Sequence, residues 1–259
     1  MQNQNKYIVI TGASGGIGEA SAKLFASKGK NLILVARREN QLNDIKASIL
    51  AQFPNIDVVV KPFDLSQIDE LPKLYQDLTQ YPIETWINNA GFGILETVKE
   101  HDISRVLSMI RLNVEALTVL SILFVKDFAD VDGAKLINIS SGAGYNIAPL
   151  ATAYCGTKYF VSAFSEGLAH EMAMTGAKLQ VKVLAPASTK TDFAKTAMQD
   201  ETVTYGDDSI YFNKFNTAEE MADFLYQLYE SDKVVGLVNH EQFTLSLLDP
   251  QFNHLYHLV

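Results

Sequence analysis

The sequence predicts an α/β fold in which a single doubly wound parallel sheet of about seven strands carries helices on both faces. Short β-branched runs bounded by turn residues alternate about six times with longer segments of helical periodicity along the 259 residues. The short runs lack strict apolar/polar alternation, which indicates strands buried on both faces. Strand–helix alternation with right-handed crossovers builds a sheet of this kind.

The predicted strands are short and rich in Val and Ile, which suit a buried pleated surface. In chain order they are Tyr7–Thr11, Asn31–Ala36, Asp57–Lys61, Thr85–Asn88, Lys135–Ser140, Gln180–Leu184 and Val234–Val238. The predicted helices repeat apolar residues every three or four positions, so that one face turns toward the sheet. They are Gly18–Lys28, Glu39–Gln52, Glu70–Thr79, Ile103–Asp127 and Ala151–Thr175.

Length and composition indicate one globular domain that spans residues 1–259. Hydrophobic residues make up 47% of the chain and charged residues 20%, whereas disordered chains have fewer of the first and more of the second. The sequence shows no internal repeat and no low-complexity linker. The stretch Ser188–Asn216 is polar and long for a connection, so we expect it to form a substrate-binding lid.

The charge balance and the single cysteine limit the partners and the compartment. A formal net charge of -9 argues against a general nucleic-acid binder, which normally carries a basic patch. Cys155 stands alone, which excludes an internal disulfide and favours a reducing compartment. The N-terminus has no signal-peptide pattern, and the apolar stretch Ala116–Val125 is about half as long as a membrane span. We therefore expect a cytoplasmic protein with no nucleic-acid partner and no membrane.

A glycine-rich turn, Thr11–Gly18, joins the first strand to the first helix. Glycines allow positive φ and let the backbone approach a diphosphate, while the first helical N–H groups hold its negative charge. The spacing differs from the common dinucleotide fingerprint, and no P-loop lysine follows. A tight turn without a ligand is the alternative. The expected ligand contacts are Gly12, Ser14, Gly16, Ile17 and Gly18.

Arg37 and Arg38 end the second strand, with no acidic residue before Glu39. In dinucleotide sites an acid at this place binds the ribose 2′-hydroxyl, whereas arginine accommodates a 2′-phosphate. Two adjacent guanidiniums in an acidic protein therefore indicate a bidentate phosphate clamp. The alternative is that both arginines are solvated residues that open the next helix.

Tyr154 and Lys158 are four residues apart in a predicted helix and so share one face. A nearby ammonium stabilises a phenolate, so we expect Lys158 to lower the pKa of Tyr154 toward the value that a proton donor needs. The fifth predicted strand ends at Ser140 and Ser141 follows it, at the sheet edge where α/β proteins bind ligands. A surface tyrosine over an extended lysine is the competing interpretation of this pair.

Together these residues resemble the short-chain dehydrogenase/reductase family, from about Lys6 to Thr191. Thr11–Gly18 is similar to the family's glycine turn, and Asn88–Gly91 to its Asn-Asn-Ala-Gly motif. Asn113 stands where the family has a helix-borne catalytic asparagine. Ser141, Tyr154 and Lys158 have the family's spacing of thirteen and four residues. The resemblance implies a Rossmann-like fold and an oxidoreductase.

The resemblance also implies a role for each catalytic residue. Tyr154 would be the general acid that protonates a carbonyl oxygen, or the base in the reverse direction. Ser141, rather than Ser140, would hydrogen-bond that oxygen. Lys158 would bind the nicotinamide ribose and lower the pKa of Tyr154. Asn113 would hold, at a helix irregularity, a water that links Lys158 to solvent.

The cofactor implied by the resemblance is NADP(H) rather than NAD(H), because Arg37 and Arg38 match positions that NADP(H)-preferring members fill with basic residues. Gly15 departs from this pattern, since many such members carry a basic residue there. A second departure lies after the sixth strand, where Ala187 replaces the usual glycine. The implied cofactor contacts beyond the glycine turn are Arg37, Arg38, Asp64, Leu65, Asn89, Ala90, Gly91, Tyr154, Lys158, Pro186 and Thr191.

The implied substrate is an apolar carbonyl or alcohol compound, since the segments that form the family's pocket are rich in apolar and aromatic residues. The candidate lining residues are Phe92, Ile94, Tyr145, Ile147, Phe193, Tyr205, Tyr211 and Phe212. Two alternatives remain, a non-catalytic dinucleotide-binding sensor and an NAD-dependent alcohol dehydrogenase. The spacing of the histidines predicts no metal site. The family also implies a homodimer or homotetramer, formed through the helices Ile103–Asp127 and Ala151–Thr175.

Overall fold

The computed structural model describes residues 6–206, 209 and 212–253, and its main sheet confirms the predicted fold class. Eight strands lie in the order β10-β9-β6-β5-β4-β1-β2-β3. All pair in parallel except β10, which is antiparallel to β9. The strands of this sheet are β1 Tyr7–Thr11, β2 Asn31–Ala36, β3 Val58–Pro62, β4 Ile83–Asn88, β5 Lys135–Ile139, β6 Gln180–Ala185, β9 Val235–Val238 and β10 Leu245–Leu248.

The predicted helices all form, with boundaries that move by at most two residues. The helices are α1 Gly16–Ser27, α2 Glu39–Gln52, α3 Leu71–Leu78, α4 Ile103–Ile110, α5 Leu117–Phe128, α6 Thr152–Thr175, α7 Phe193–Met198 and α8 Ala218–Glu230. Short 3₁₀ turns cover Ile68–Glu70, Val98–Glu100 and Gly142–Gly144. Helices α7 and α8 and strand β10 were not predicted. Thr217 and Glu220 form a capping box at the start of α8, a sequence signal that identifies such a helix.

Two apolar layers hold helices against opposite faces of the sheet. One layer packs Phe25 of α1, Leu42 of α2 and Leu225 of α8 on the sheet. The other contains Leu74 of α3 and Phe124 of α5. Because both faces are covered, the central strands are fully buried, which explains why their sequences do not alternate.

A π-helical turn, Arg111–Ala116, joins α4 to α5 in one continuous helical stretch. An 18-residue window of this stretch, Ile103–Phe128, has a mean hydropathy of 1.7, so the stretch is long and apolar enough to cross a bilayer. The core helices of soluble proteins meet the same criterion, and here Leu117, Leu120 and Phe124 are buried against the protein. The helix is therefore only weak evidence for a membrane.

The predicted lid segment, residues 188–216, contains more regular structure than a long loop. Strand β7, Thr189–Lys190, pairs in parallel with β8, Asn216–Thr217, and helix α7 lies between them. Residues 207, 208, 210 and 211 of this segment lie outside the described part. The pairing of β7 with β8 brings the two ends of the segment together at the carboxyl side of β6.

A buried polar network joins β4 and β5 below the site. Asn88 Nδ2 donates to Asn138 Oδ1 at 2.9 Å and to Ser121 Oγ at 3.1 Å, while Trp86 Nε1 donates to Asn88 Oδ1 at 2.8 Å. Asn138 Nδ2 in turn donates to Ser165 Oγ of α6 at 2.9 Å. Satisfied buried networks rigidify their surroundings. This network fixes α6 to the strands whose carboxyl ends carry the candidate site.

Candidate active site

The glycine-rich turn brings the start of α1 close to the carboxyl ends of β1 and β4. Gly12 and Gly16 have φ of +67° and +55°, in the left-handed region that favours glycine. At Gly18 a Cβ would collide with the carbonyl oxygen of Gly12 and the side-chain amide of Asn89. The turn therefore requires glycine for its own geometry, and it leaves the first N–H groups of α1 at the sheet edge.

Thr11 fixes the turn to the loop that follows β4. Its Oγ1 accepts hydrogen bonds from the backbone N–H groups of Asn89 and Ala90, at 2.9 and 3.1 Å. Asn89 Nδ2 donates back to the carbonyl of Thr11 at 2.9 Å. Asn89 and Ala90 thus lie beside the glycine turn, as a shared cofactor contact requires. The sequence analysis did not identify Thr11, although a hydroxyl at the end of a strand was a usable signal.

Arg38 reaches from the end of β2 across the glycine turn. Its Nη2 donates to the Ser14 carbonyl at 2.9 Å and to Ser14 Oγ at 3.1 Å, and its Nε donates to the same Oγ at 3.2 Å. Arg37 and Arg38 are both exposed. The two arginines therefore border the turn at the surface, and Arg38 is more than a solvated residue at the start of α2.

Asp64 and Leu65 follow β3 at the same sheet edge, because Phe63 N donates to the carbonyl of Ala36 at 2.9 Å. Asp64 Oδ1 accepts from the backbone N–H and the hydroxyl of Ser66, at 3.0 and 2.8 Å, and Leu65 is buried. This short turn places Asp64 one strand away from Arg37.

Ser141, Tyr154 and Lys158 meet at the carboxyl end of β5. The Ser141 hydroxyl lies near the Tyr154 phenol, where by itself it would lower the pKa of that phenol. Lys158 Nζ lies 5.8 Å from the centre of the Tyr154 ring and donates to the carbonyl of Ile139 at 2.8 Å. Tyr154 and Lys158 are both buried, so the pair does not form a solvated surface contact. The predicted convergence of these three side chains is present in the structure.

Ser140 points the other way, into the base of α6. Its Oγ donates to the carbonyl of Lys158 at 3.0 Å and lies 2.7 Å from Ser162 Oγ. Ser140 is 3% exposed and has no hydrogen bond to Tyr154 among the contacts described. Of the two serines, Ser141 is therefore the one that faces the phenol.

The pKa of Tyr154 moves opposite to the expected direction. Burial raises the pKa of Tyr154 to about 12, because the phenolate loses its hydration, and the Ser141 hydrogen bond offsets only part of this. Burial also lowers the pKa of Lys158 to about 8. The expected lowering of the Tyr154 pKa is thus not found, because desolvation by burial is the largest cause of its shift.

Asn113 lies in the π-helical turn, which is the helix irregularity expected at this residue. Its side chain accepts from the backbone N–H of Phe92 at 3.1 Å and donates to the Phe92 carbonyl at 2.9 Å and to Thr157 Oγ1 at 3.2 Å. A Cβ at Gly91 would come within 2.9 Å of Asn113 Oδ1 and 3.7 Å of Lys158 Nζ. Gly91, Asn113 and Lys158 therefore form one cluster, and Thr157 is a member that the sequence analysis missed.

Pro186 and Thr191 border the site from the sheet edge beyond β6. The carbonyl of Pro186 accepts from Gly142 N at 2.7 Å, which joins the β6 end to the Ser141 loop. A Cβ at Gly16 would lie 3.1 Å from Thr191 Cγ2. Thr191 thus packs directly on the glycine turn, within reach of any ligand held there.

Helix α7 covers Tyr154. The Phe193 ring lies 5.4 Å from the Tyr154 ring, and a Cβ at Gly93 would collide with Phe193. Arg105 of α4 donates to the carbonyls of Thr196 and Ala197 at the other end of α7. The helix is therefore held between the glycine turn and α4, with an aromatic ring over the phenol.

Some of the candidate substrate-lining residues lie in the apolar cluster around Tyr154, and others lie outside that cluster. Phe92, Ile94 and Phe193 belong to an apolar cluster around Tyr154. Ile147 is 72% exposed, and Tyr205 packs on Phe212 and Phe215 with ring centres 5.1 and 5.3 Å apart. Tyr211 lies outside the described residues. No group of three His, Cys, Asp or Glu side chains in the described ranges could hold a metal ion.

Comparisons with known proteins agree with this geometry. A family model described as short chain dehydrogenase matches residues 6–202. An uncharacterized oxidoreductase of Staphylococcus saprophyticus is 31% identical over 217 residues, which are 81% of this chain and 84% of that protein.

Two solved structures are similar over most of the chain. A short-chain dehydrogenase from Sphingobium yanoikuyae in complex with NADPH has a TM-score of 0.80 and 26% identity, covering 90% of this chain and 87% of that one. A bulky-bulky ketone specific alcohol dehydrogenase from Comamonas testosteroni has a TM-score of 0.77 and 25% identity, covering 91% and 86%. The family match to residues 6–202 spans the glycine turn and the Ser141, Tyr154 and Lys158 cluster.

Proposed function

The chain belongs to the short-chain dehydrogenase family of oxidoreductases, and we propose that it transfers a hydride between NADP(H) and an apolar carbonyl or alcohol substrate. The observation that carries this proposal is the convergence of Ser141 and Tyr154 at the carboxyl end of β5, with Lys158 one helical turn away. These groups lie beside Gly91, at the loop that Asn89 and Ala90 join to the glycine turn.

The residues at the sheet edge fit a dinucleotide. Gly12, Gly16 and Gly18 allow the tight geometry of the turn, and the start of α1 offers N–H groups to a diphosphate. Asp64 and Leu65 would contact the adenine, while Pro186 and Thr191 would border the nicotinamide. When bound, NADPH supplies the hydride, and the protein supplies orientation and proton delivery.

Tyr154 is proposed as the general acid in carbonyl reduction. Because burial raises its pKa to about 12, the phenol keeps its proton at neutral pH and can donate it to the developing alkoxide. Ser141 would donate a hydrogen bond to the same oxygen. Lys158 would bind the cofactor ribose and attract the phenolate, and Asn113 would hold the hydration path to Lys158.

The preference for NADP(H) rests on Arg37 and Arg38. Arg38 is held over the glycine turn by Ser14, where its guanidinium would meet a 2′-phosphate. The similar enzyme from Sphingobium yanoikuyae was solved in complex with NADPH, which supports this cofactor.

The apolar character of the substrate rests on the cluster around Tyr154. Ile94, Met109 and Phe193 belong to this apolar cluster. The similarity to a ketone-specific alcohol dehydrogenase supports a ketone as the carbonyl compound. We also propose a single domain with α7 in its lid, a homodimer or homotetramer, and a cytoplasmic location.

The test is a panel of ketones, aldehydes and quinones with NADPH, followed at the nicotinamide absorbance. We expect turnover by the native protein, and a loss of roughly 10²- to 10⁴-fold in Tyr154→Phe with NADPH binding retained. Tyr81→Phe, at the opposite end of β4, is the matched control and should keep full activity. Absence of turnover on every carbonyl and alcohol would favour the dinucleotide sensor, and faster alcohol oxidation with NAD would favour the NAD-dependent dehydrogenase.

A further inference from the structure

Glu166 is a fully buried carboxylate on the side of α6 that faces the C-terminal segment, and it takes no part in the proposed proton transfer. It is 1% exposed. Its Oε1 accepts from the Tyr145 hydroxyl at 2.6 Å. Its Oε2 accepts from the backbone N–H groups of Gln251 and Phe252, at 2.5 and 2.8 Å. Two segments separated by more than a hundred residues thus meet on one carboxylate.

Ring packing reinforces this junction. The Phe252 ring stacks on Tyr145 with centres 5.4 Å apart and planes 15° apart, and it also contacts Tyr159 at 6.4 Å. Burial and the carboxylate together raise the pKa of Tyr145, so the phenol remains a donor at neutral pH. All three partners of Glu166 are hydrogen-bond donors, so both carboxylate oxygens are needed as acceptors. A side chain with its own N–H could not replace them both.

Tyr145 ends the short loop that begins at Ser141. The loop is a 3₁₀ turn in which Gly144 N donates to the Ser141 carbonyl at 2.8 Å and Tyr145 N donates to the Gly142 carbonyl at 3.1 Å. Gly144 has no space for a Cβ against Ser140, Ser162 and the Lys158 carbonyl. The loop is therefore rigid between Ser141 and Tyr145, and a shift at its end moves Ser141 as well.

We infer that Glu166 is a positioning residue, which fixes Ser141 against Tyr154 by anchoring Tyr145 to the C-terminal segment. The inference rests on the proposed function, since it assigns Glu166 an effect on the same reaction. It also makes the segment around Phe252 part of the support of the active site. The position of Ser141 then depends on a carboxylate and a chain segment that take no part in the proposed proton transfer.

The test uses Glu166→Gln and Tyr145→Phe, with Gln251→Ala as the matched control. Gln at position 166 keeps one acceptor oxygen but turns an N–H₂ group toward a donor. Phe at position 145 keeps the ring stack and removes only the hydroxyl, so it serves if Glu166→Gln fails to fold. Gln251→Ala keeps the backbone N–H that Glu166 uses.

We expect kcat for carbonyl reduction to fall roughly tenfold or more in both variants, because a small displacement of an orienting group lowers the rate steeply. The Kd for NADPH should stay within about twofold, since the glycine turn does not contact this junction. The double variant should lose no more than the worse single variant, as expected of two groups in one linkage. Gln251→Ala should retain the native kcat.

Hydrogen exchange separates this inference from the proposed function. The amides of Gly144 and Tyr145 should exchange faster in Glu166→Gln and Tyr145→Phe, whatever substrate the protein acts on. Unchanged exchange at both amides overturns the inference even if the protein reduces ketones. Faster exchange with an unchanged kcat also overturns it, because Ser141 would then not depend on the linkage. If no substrate turns over, faster exchange still supports the anchoring of the loop while the proposed function fails.

Discussion

The guanidinium of Arg38 lies across Ser14 and occupies the space above Gly15. A Cβ placed on Gly15 would come within 3.1 Å of Arg38 Nη2. Gly15 stands where, by the family resemblance, NADP(H)-preferring enzymes often carry a basic side chain. The structure shows that Arg38, from the neighbouring strand, brings its positive charge to the same place.

Arg38→Ala should raise the KM for NADPH about tenfold or more and leave the KM for NADH nearly unchanged. The reason is that a charge-assisted hydrogen bond to a phosphate contributes about 1.5–3 kcal/mol, whereas NADH has no 2′-phosphate to lose. Steady-state kinetics with both cofactors at a fixed carbonyl concentration measures the two constants. Equal increases for NADPH and NADH would show that Arg38 supports only the turn.

Ser141→Ala should lower the rate of catalysis, whereas Ser140→Ala should lower the stability of the fold. Ser141→Ala removes a donor to the reacting oxygen, so we expect kcat to fall roughly 10²- to 10³-fold with little change in the melting temperature. Ser140→Ala removes buried hydrogen bonds to the Lys158 carbonyl and Ser162, so it should lower the free energy of unfolding by about 1–3 kcal/mol. The reverse pattern, with Ser140 controlling kcat, would contradict the assignment.

The kcat/KM for NADPH in carbonyl reduction should fall as the pH rises through about 8. Burial lowers the pKa of Lys158 to about 8, so its ammonium loses the proton in this range, while Tyr154, with a pKa of about 12, stays protonated. The pH dependence of kcat/KM reports groups in the free enzyme. A profile from pH 6 to 10 measures this decline, which should approach tenfold per pH unit above 8.

Lys182→Met is the matched control for this profile. Burial also lowers the pKa of Lys182 to about 8, but its Nζ donates to the carbonyls of Ser231 and Lys233 at the opposite end of the sheet. The decline above pH 8 should therefore persist in Lys182→Met. If Lys182→Met abolished the decline above pH 8, the titrating group would be Lys182 and not Lys158.

Gly18→Ala should abolish tight NADPH binding and destabilise the protein. The added methyl group would meet the Gly12 carbonyl and the Asn89 amide, and backbone atoms cannot move aside easily. We expect the free energy of unfolding to fall by about 1–3 kcal/mol. Fluorescence titration with NADPH and chemical unfolding measure the two effects.

Gly167→Ala is the control for that substitution. Gly167 lies on the exposed side of α6, and a Cβ there meets no atom within 4 Å. Because alanine favours helix more than glycine, the free energy of unfolding should rise by about 0.5–1 kcal/mol. Native-like NADPH affinity in Gly18→Ala would show that the turn tolerates a side chain and does not cradle a diphosphate.

Phe160→Glu should dissociate the proposed oligomer. Phe160 is 39% exposed on α6 and stacks on Phe164 at 5.6 Å, which leaves an apolar surface that a partner subunit could cover. Light scattering at micromolar concentration should give a multiple of 28.6 kDa for the native chain and about one chain mass for the variant. Val131→Glu, the control, changes a similarly exposed residue away from α6 and should keep the native mass. If the native chain itself scatters light as a monomer, the proposed oligomer is wrong.

Much of the fold followed from local patterns in the sequence. The predicted helix Glu39–Gln52 has the same bounds in the structure, because its apolar positions repeat with the helical period. Strand β10, Leu245–Leu248, was missed, because it is only four residues long and only half-buried at the sheet edge. Helix α7 was missed because six residues are too few to show a period.

The candidate site divides in the same way. The sequence predicted that a serine at the end of β5 faces Tyr154 and Lys158, because strand ends and helical turns have fixed geometry, and the family resemblance indicated Ser141. The pKa of Tyr154 could not be predicted from that spacing. It depends on how much water Phe193 and the surrounding apolar cluster exclude, and those residues come from distant parts of the chain.

The amino-acid order alone determined the alternation of strands and helices, the glycine turn and the family. These features arise from the helical repeat of three to four residues, the strand repeat of two residues and the backbone freedom of glycine. Each of these acts over only a few neighbouring positions in the chain. Only the tertiary structure decided that Arg38 covers Gly15, that Ser140 points away from the phenol, and that Glu166 joins Tyr145 to Phe252. Such contacts depend on which segments the folded chain brings together. The burial of these contacts then sets the strength of the electrostatic interactions and the pKa values.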